Sequence, residues 1–109
     1  IRKAFEFAKK YAPNIKLEIR ERRVDGPETL GDIGDHYTRY YQLVKHMKNT
    51  SVPLGVVSSQ GRLNTSRQFD DASYKESLER FVALGIETHV SEFEVYDTAN
   101  NNTKQADYY

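Results

Sequence analysis

The chain has 109 residues, of which 38% are hydrophobic and 29% are charged, and this is the composition of one small globular domain. Sixteen basic and sixteen acidic side chains give a formal net charge of zero, so no overall field favours a nucleic acid or an anionic membrane. Cysteine is absent, which excludes disulfides and thiolate metal sites. No apolar run reaches the roughly 20 residues of a membrane span and no signal-peptide pattern is recognisable, so we expect no membrane partner.

The first segment has the pattern of an amphipathic helix that ends near Pro13. Apolar residues recur at helical spacing from Ile1 to Tyr11, and basic residues occupy the other side. Because Ile1 already belongs to the helical pattern, we expect the sequence to be cut from a longer chain. Residues 15–19, IKLEI, then alternate at period two and predict a strand, which runs into the charged residues 20–23 and a turn at residues 25–27.

Two further helix and strand pairs follow. Residues 32–48 predict a helix whose apolar face is formed by Tyr37, Tyr40, Tyr41, Val44 and Met47. Residues 54–60 predict a short buried strand, with residues 61–64 as a loop. Ser73 and Glu76 have capping-box spacing and predict a third helix that ends at Gly85, with the core face Tyr74, Leu78, Phe81 and Val82.

The third predicted strand occupies residues 86–95 and carries two carboxylates, Glu92 and Glu94. We expect one continuous strand here, so that these alternate residues have parallel side chains about 6.6 Å apart. Residues 100–102 predict a polar loop, and residues 104–109 predict the start of another helix. The carboxyl end of a parallel strand often carries catalytic groups, which makes Glu92 a candidate.

The element order α-β-α-β-α-β, with a further helix begun, indicates a parallel sheet with right-handed crossovers. Two architectures fit this order: a doubly wound sheet and part of a (β/α)₈ barrel. Three parallel strands alone have two open edges and are poorly covered, and both ends of the chain fall within helices. The pattern therefore favours a partial (β/α)₈ TIM barrel, with residues 1–109 as a single segment of it.

The three predicted strand ends, at residues 20–23, 59–62 and 91–94, would meet at one rim of such a sheet. The rim holds carboxylates, an amide and guanidinium groups, a set suited to polyols. Retaining glycoside hydrolysis needs two carboxylates about 5 Å apart on opposite sides of the scissile bond, so Glu92 and Glu94 cannot be that pair. Glu21 is a conceivable partner, although a loop carboxylate paired with neighbouring arginines is the simpler interpretation.

Other chemistries find little support in the sequence. The three histidines His36, His46 and His89 have no metal-ligand spacing, so we expect no metal site. The glycines match no phosphate-binding loop. The basic residues around Arg22 alternate with acidic ones and lack stacking aromatics, so we expect no nucleic-acid partner.

Three motifs in order resemble the later half of the catalytic barrel of glycoside hydrolase family 10, the endo-1,4-β-xylanases. Residues 12–17, APNIKL, are similar to the family's A-x-P-N-x-K-L helix ending before strand five, and residues 55–63 resemble the strand-six segment that contains Q-x-H. Residues 78–95, LERFVALGIETHVSEFEV, are similar to the helix and strand-seven signature that ends in T-E-L-D-V. The resemblance covers nearly the whole chain.

The resemblance implies that Glu92 is the catalytic nucleophile and that Gln60 occupies the position of the family's strand-six glutamine. Arg62 replaces the histidine that contacts the nucleophile in the family, and residues 20–23, RERR, replace N-D-Y-N. We assign Gln60 and Arg62 to substrate binding. An arginine near Glu92 would hold it ionised, but would also engage it in a charge-assisted pair and crowd the sugar site.

The resemblance further implies a secreted enzyme that degrades xylan or a related polysaccharide without a cofactor. Its general acid/base glutamate would lie upstream of Ile1, so the remainder of the barrel is the expected partner and the isolated chain is expected to be inactive. Two alternatives stay open. The first is a degenerate barrel that binds carbohydrate or a protein without catalysis, and the second is a self-contained α/β domain that shares only the pattern.

Overall fold

The structure, a computed structural model, describes residues 1–22, 32–64, 71–97 and 106. Within these residues the helices are α1 (Arg2–Tyr11), α2 (Asp32–Asn49) and α3 (Asp71–Val82). The strands are β1 (Glu18–Glu21), β2 (Val56–Ser59), β3 (Arg62–Asn64), β4 (Glu87–Val90) and β5 (Glu94–Tyr96). The predicted turn at residues 25–27, the polar loop at residues 100–102 and, apart from residue 106, the last helix lie outside the described residues.

Three parallel strands form the main sheet in the order β1-β2-β4. Glu18 is paired with Val56, which is paired in turn with Glu87, so the three strands begin at the same level. Successive strands are neighbours and each pair is connected through a helix. This arrangement is that of a barrel wall, whereas a doubly wound sheet reverses its strand order at a switch point.

All three helices pack on one face of this sheet. The buried core on that face combines residues of α2 and α3 with Val57 of β2 and with the residues between α2 and β2, and Phe5 and Ile19 pack against its edge. The hydroxyl of Tyr40 donates a hydrogen bond to the Ile19 carbonyl oxygen at 3.0 Å, which ties α2 to β1. The predicted apolar face of α2 is confirmed. Four of its five members are buried, namely Tyr37, Tyr40, Val44 and Met47, and the fifth, Tyr41, packs against the core.

Phe81 is the central side chain of this core. It is fully buried, and its ring centroid lies 6.5, 5.8 and 5.7 Å from those of Tyr37, Tyr40 and Tyr41. We expect Phe81→Ala to lower the free energy of unfolding by about 3–5 kcal/mol, measured by urea denaturation. The neighbouring Val82 is 59% exposed, so Val82→Ala should change it by less than about 0.5 kcal/mol. Equal losses in the two variants would contradict this packing.

Some sequence expectations about the helices are wrong in detail. Val82 was expected in the core, but α3 ends there and its side chain points to solvent. Ser77 is buried in the core-facing part of α3 instead. The helix begins at Asp71, two residues before the predicted cap at Ser73, and its last turn leads into Gly85 at φ +70°. In the described part of the chain, no helix has the length and apolar character to cross a membrane.

The first strand also begins later than predicted, at Glu18 instead of Ile15. Pairing with β2 sets its position, because the Leu17 carbonyl accepts the first hydrogen bonds, from the N–H groups of Gly55 and Val56 at 2.9 and 3.1 Å. Pro53, two residues before Gly55, has no N–H and cannot extend that ladder. The alternation of residues 15–19 therefore gave the right kind of element in a shifted position.

The third predicted strand is interrupted, and the expectation of one continuous strand is wrong. Residues 87–90 pair with β2, and residues 94–96 pair with β3 in a second, two-stranded parallel sheet. Ser59 is paired with Val90, and Arg62 is paired with Glu94. Between these two pairs the chain advances three residues from β2 to β3 but four residues from β4 to β5. One extra residue on one side of a ladder is a β-bulge, and this bulge contains Glu92.

Candidate active site

The carboxyl ends of β1, β2 and β4 lie at the same level, as the sequence predicted. Glu21, Ser59 and Val90 are paired across the sheet as the last residues of their strands. The Gln60 N–H donates to the Glu21 carbonyl at 3.2 Å, and the Ser91 N–H donates to the Ser59 carbonyl at 2.8 Å. The residues that follow each strand therefore share one rim.

The backbone of Glu92 has a left-handed conformation with φ +57°, which non-glycine residues adopt infrequently. The ladder holds it from both sides, because Ser91 N–H is bonded to Ser59 and the Glu94 N–H donates to the Gly61 carbonyl at 3.2 Å. The Ser91 hydroxyl adds a bond to the Ser59 carbonyl at 3.2 Å. An unusual backbone conformation held by surrounding bonds is a common feature of active sites.

Gly61 allows the two strands to approach at the bulge. Its φ is +67°, and its N–H donates to the buried Ser59 hydroxyl at 3.1 Å. A Cβ atom at this position would overlap Val90 Cγ1 and lie 3.3 Å from Phe93 Cδ2. Only glycine meets both conditions, a left-handed backbone and no space for a side chain.

Two guanidinium groups bind the two carboxylate oxygens of Glu92. Arg20 Nη1 donates to Oε1 at 2.9 Å, and Arg62 Nη2 donates to Oε2 at 2.9 Å. Arg62 also lies within ion-pair distance of Glu94, with 3.8 Å between Nε and Oε2. The side chains of Arg20, Arg62 and Glu92 are 45%, 47% and 37% exposed, so a ligand can reach the group from solvent.

Arg20 has a second carboxylate partner in Glu18, because its Nε donates to Glu18 Oε1 at 3.1 Å. Hydrogen bonds with Glu18 and then with Glu92 raise the pKa of the Arg20 guanidinium, which stays charged. The pKa of Glu18 is lowered. The largest cause is the nearby Ser58 hydroxyl, which acts on the carboxylate without forming a full hydrogen bond. The Arg20 guanidinium is the next group that lowers this pKa.

A second charged group lies on the same open face of the sheet, away from the helices. The Glu87 carboxylate contacts Lys16 Nζ through Oε2 and His89 Nε2 through Oε1, the second at 2.8 Å. Hydrogen bonding to Lys16, and then to His89, lowers the pKa of the Glu87 carboxyl. His89 also lowers the pKa of Glu18, so the two groups are electrostatically connected.

Acid should weaken this face of the sheet. Glu18 and Glu87 have pKa values below their unfolded values, so they stabilise the fold above an ordinary pKa of about 4.3, and this contribution is lost as the pH falls through the folded values. We expect the free energy of unfolding to decrease between about pH 5 and pH 3. The variant Glu18→Gln/Glu87→Gln should flatten that decrease, whereas Glu79→Gln, on an exposed turn of α3, should not. An unchanged pH profile in the double variant would contradict the prediction.

The structure brings together some of the residues singled out from the sequence. Arg62 contacts Glu92, and Gln60 lies at the rim through its backbone. Glu21 does not join them. Its Oε1 accepts a hydrogen bond from the Arg22 N–H at 2.7 Å. On the helical side of the sheet, burial and then the Glu21 charge raise the pKa of Tyr40. The sequence placed Arg20 in the rim cluster of residues 20–23 but did not predict its contact with Glu92, although its alternation with Ile19 puts it on the open face.

The site can support carboxylate chemistry at a ligand with hydroxyl groups. Glu92 supplies an accessible carboxylate at a fixed backbone position, and the surrounding guanidinium groups supply donors for hydroxyl oxygens. Among the residues that the structure describes, no three or more histidine or acidic residues are grouped so that they could hold a metal ion.

The fold and this rim define the class as a segment of a (β/α)₈ barrel with a carboxylate at the carboxyl ends of its strands, and comparison with known proteins specifies the family. The family model described as glycosyl hydrolase family 10 matches residues 1–109. The chain belongs to this family, and the resemblance seen in the sequence is confirmed.

Curated relatives carry the names of xylan-degrading enzymes. The chain is 30% identical over 100 residues to endo-1,4-beta-xylanase A of Thermoanaerobacterium saccharolyticum, which covers 92% of the chain and 8% of that protein. It is 30% identical over 109 residues to beta-1,4-xylanase of Dictyoglomus thermophilum, which covers 94% of the chain and 28% of that protein. The chain thus spans less than a third of these relatives.

Solved structures confirm the partial barrel. A mutant of the intracellular xylanase TsXylA of Thermoanaerobacterium saccharolyticum, in complex with xylotriose, matches 98% of the chain and 32% of its own length, with 28% identity and a TM-score of 0.78. Native xylanase 10B from Thermotoga maritima has the same fold, with a TM-score of 0.76 at 22% identity, covering 97% of the chain and 32% of that protein. The predicted fold class is therefore right, with three parallel barrel strands alternating with helices.

Proposed function

We propose that this chain carries the nucleophile side of the active site of a retaining endo-1,4-β-xylanase, whose remaining strands and helices come from the rest of the barrel. The observation that supports this most is the placement of Glu92. It lies at the glutamate of the segment that resembles the family's T-E-L-D-V motif, occupies a β-bulge at the carboxyl end of a parallel strand and presents its carboxylate to solvent. The xylanase names of the relatives and the xylotriose complex of a structural neighbour support xylan as the substrate.

The mechanism that follows is a double displacement. Glu92 attacks the anomeric carbon and forms a glycosyl ester, while an acid/base carboxyl from the remainder of the barrel protonates the departing glycosidic oxygen. The acid/base group, now a carboxylate, then removes a proton from water. The water attacks the anomeric carbon and releases Glu92. Gln60 and Arg62, at the same rim, bind the hydroxyl groups of the sugar beside Glu92. No step requires a cofactor.

A second candidate, a barrel that binds polysaccharide without cleaving it, is favoured by one observation. Both carboxylate oxygens of Glu92 are already engaged by arginines. A permanent pairing would prevent attack on the anomeric carbon. Binding of xylo-oligosaccharide without turnover would support this candidate.

The test uses the completed barrel, meaning this chain within its parent polypeptide. Incubation with xylo-oligosaccharide should release reducing sugar, and NMR of the first product should show a retained β-anomeric configuration. Inversion of configuration, or binding without hydrolysis, would reject the proposal. The isolated 109-residue chain should release none, because the family resemblance implies that the acid/base glutamate belongs to the remainder of the barrel.

Secretion is part of the proposal, because xylan is too large to cross a membrane before it is degraded. The neighbour from Thermoanaerobacterium saccharolyticum is described as intracellular, so the family name alone does not decide the location. Immunodetection of the protein in culture medium, compared with a cytosolic marker, tests this part separately.

A further inference from the structure

The contact between Arg20 and Glu92 has a geometry that affects the proposed nucleophile directly. Arg20 reaches Glu92 from β1, across the sheet, and its Nη1 donates a hydrogen bond to Glu92 Oε1 at 2.9 Å. Its Nε is held by Glu18 at 3.1 Å, so a carboxylate on its own strand fixes the guanidinium in position. Nothing in the resemblance to the family assigns this arginine a role, because the corresponding motif there begins with asparagine.

We propose that Arg20 is a restraining residue, which holds Glu92 in a resting ion pair and lowers the rate at which Glu92 attacks the substrate. This inference rests on the proposed nucleophilic role of Glu92. The ion pair has to open, or weaken, before Oε1 can approach an anomeric carbon. Glu18 is the positioning residue that keeps the guanidinium at the rim.

The direction of the effect follows from the charge of Glu92 along the reaction. Glu92 is an anion before attack and a neutral ester afterwards, so its negative charge decreases as the bond to the sugar forms. A guanidinium bound to Glu92 therefore stabilises the ground state more than the transition state, and such an interaction slows the step. At neutral pH a glutamate is ionised without help, since its ordinary pKa is about 4.3, so keeping Glu92 charged gives little benefit.

The competing interpretation is that Arg20 assists catalysis by holding Glu92 in the correct orientation. The structure supplies that function by other means. The bulge fixes the backbone of Glu92 through the bonds of Ser91 and Glu94 to the neighbouring strand, and Arg62 binds the other carboxylate oxygen. Removal of Arg20 leaves these contacts in place.

The experiment measures the first step alone, with the completed barrel and 2,4-dinitrophenyl β-xylobioside. Dinitrophenolate leaves without protonation, so its release reports attack by the nucleophile and is independent of the acid/base carboxyl. We expect Arg20→Asn to raise the rate constant of the initial burst of dinitrophenolate about tenfold, the effect of one charge-assisted hydrogen bond that is lost on the way to the transition state. The measurement is made at saturating substrate and before the glycosyl ester is hydrolysed, so that it follows transfer of the glycosyl group to Glu92. Arg20→Lys keeps the charge but lacks the planar guanidinium, so its release rate should lie between those of the wild type and Arg20→Asn.

Arg80→Asn is the matched control. Arg80 lies on α3, away from the rim, and its half-exposed guanidinium pairs with Glu76 at 2.6 Å. Its variant should release dinitrophenolate at the wild-type rate. Added salt should raise the wild-type rate, because exposed ion pairs weaken with ionic strength, and Arg20→Asn should lose that response.

An unchanged or reduced rate in Arg20→Asn would overturn the proposal. If wild type and all variants release no dinitrophenolate, the proposed hydrolase function has failed, and the ion pair is then tested without activity. NMR of the Arg20 guanidinium in the completed barrel should show slow rotation that Glu92→Gln abolishes. Fast rotation in the unchanged protein would mean that Arg20 does not restrain Glu92.

Discussion

Replacing Glu92 with alanine in the completed barrel should lower kcat for xylo-oligosaccharide hydrolysis by at least ~10³-fold. The variant has no group that can form the glycosyl ester, and loss of a covalent nucleophile removes a step that no neighbouring residue replaces. Reducing-sugar release measures the loss. The expected cause is chemical, so the circular dichroism spectrum and the affinity for xylo-oligosaccharide should change little.

Two controls separate this loss from misfolding. Glu79→Ala removes an exposed glutamate of α3 that contacts only Lys75 among the ion pairs described, and it should retain activity. Azide can enter the space left by the Glu92 side chain and attack an activated aryl xylobioside, and the product should then be an α-glycosyl azide. Full activity of Glu92→Ala, or a β-configured azide product, would contradict the role of Glu92.

Gly61→Ala should lower the free energy of unfolding by about 3 kcal/mol, a large effect for the addition of one methyl group. The left-handed backbone costs a non-glycine residue about 1–2 kcal/mol, and the overlap with Val90 Cγ1 adds the strain of an overpacked contact. Activity should also fall, because Val90 and Phe93 flank the bulge that positions Glu92. Urea denaturation measures the first effect.

Two other glycines provide a graded control. Gly85 has φ +70°, but a Cβ there would approach nothing closer than 3.9 Å, so Gly85→Ala should cost about 1 kcal/mol through the backbone alone. Gly55 has neither a positive φ nor a severe contact, and Gly55→Ala should cost less than about 0.5 kcal/mol. If Gly61→Ala were no more destabilising than Gly85→Ala, close approach of the strands at the bulge would be refuted.

The sequence predicts the kind and order of elements well where apolar periodicity is strong. The face of α2 is an example, since Tyr37, Tyr40, Val44 and Met47 recur at helical spacing and are all buried. Strand positions are less predictable. The position of β1 depends on where β2 begins to pair with it, and that is a property of two segments far apart in the chain.

The bulge at Glu92 could not be predicted from one strand. A segment rich in β-branched and aromatic residues indicates an extended chain, but the extra residue becomes visible only when residues 90–94 are compared with residues 59–62 of their partner. Gly61 was a usable signal, because an isolated glycine next to a strand often marks a bulge or a close approach. The contact of Arg20 with Glu92 likewise required the register of three strands.

The most direct test of the central claim is covalent trapping of the nucleophile. The completed barrel is incubated with 2,4-dinitrophenyl 2-deoxy-2-fluoro-β-xylobioside, whose fluorine slows release of the glycosyl group so that the ester accumulates. Proteolysis and mass spectrometry then locate the label. We expect one fluoroxylobiosyl group, which fragmentation of the labelled peptide assigns to the Glu92 side chain and which is absent from Glu92→Ala. Stable labelling of another carboxylate, such as Glu94, would contradict it.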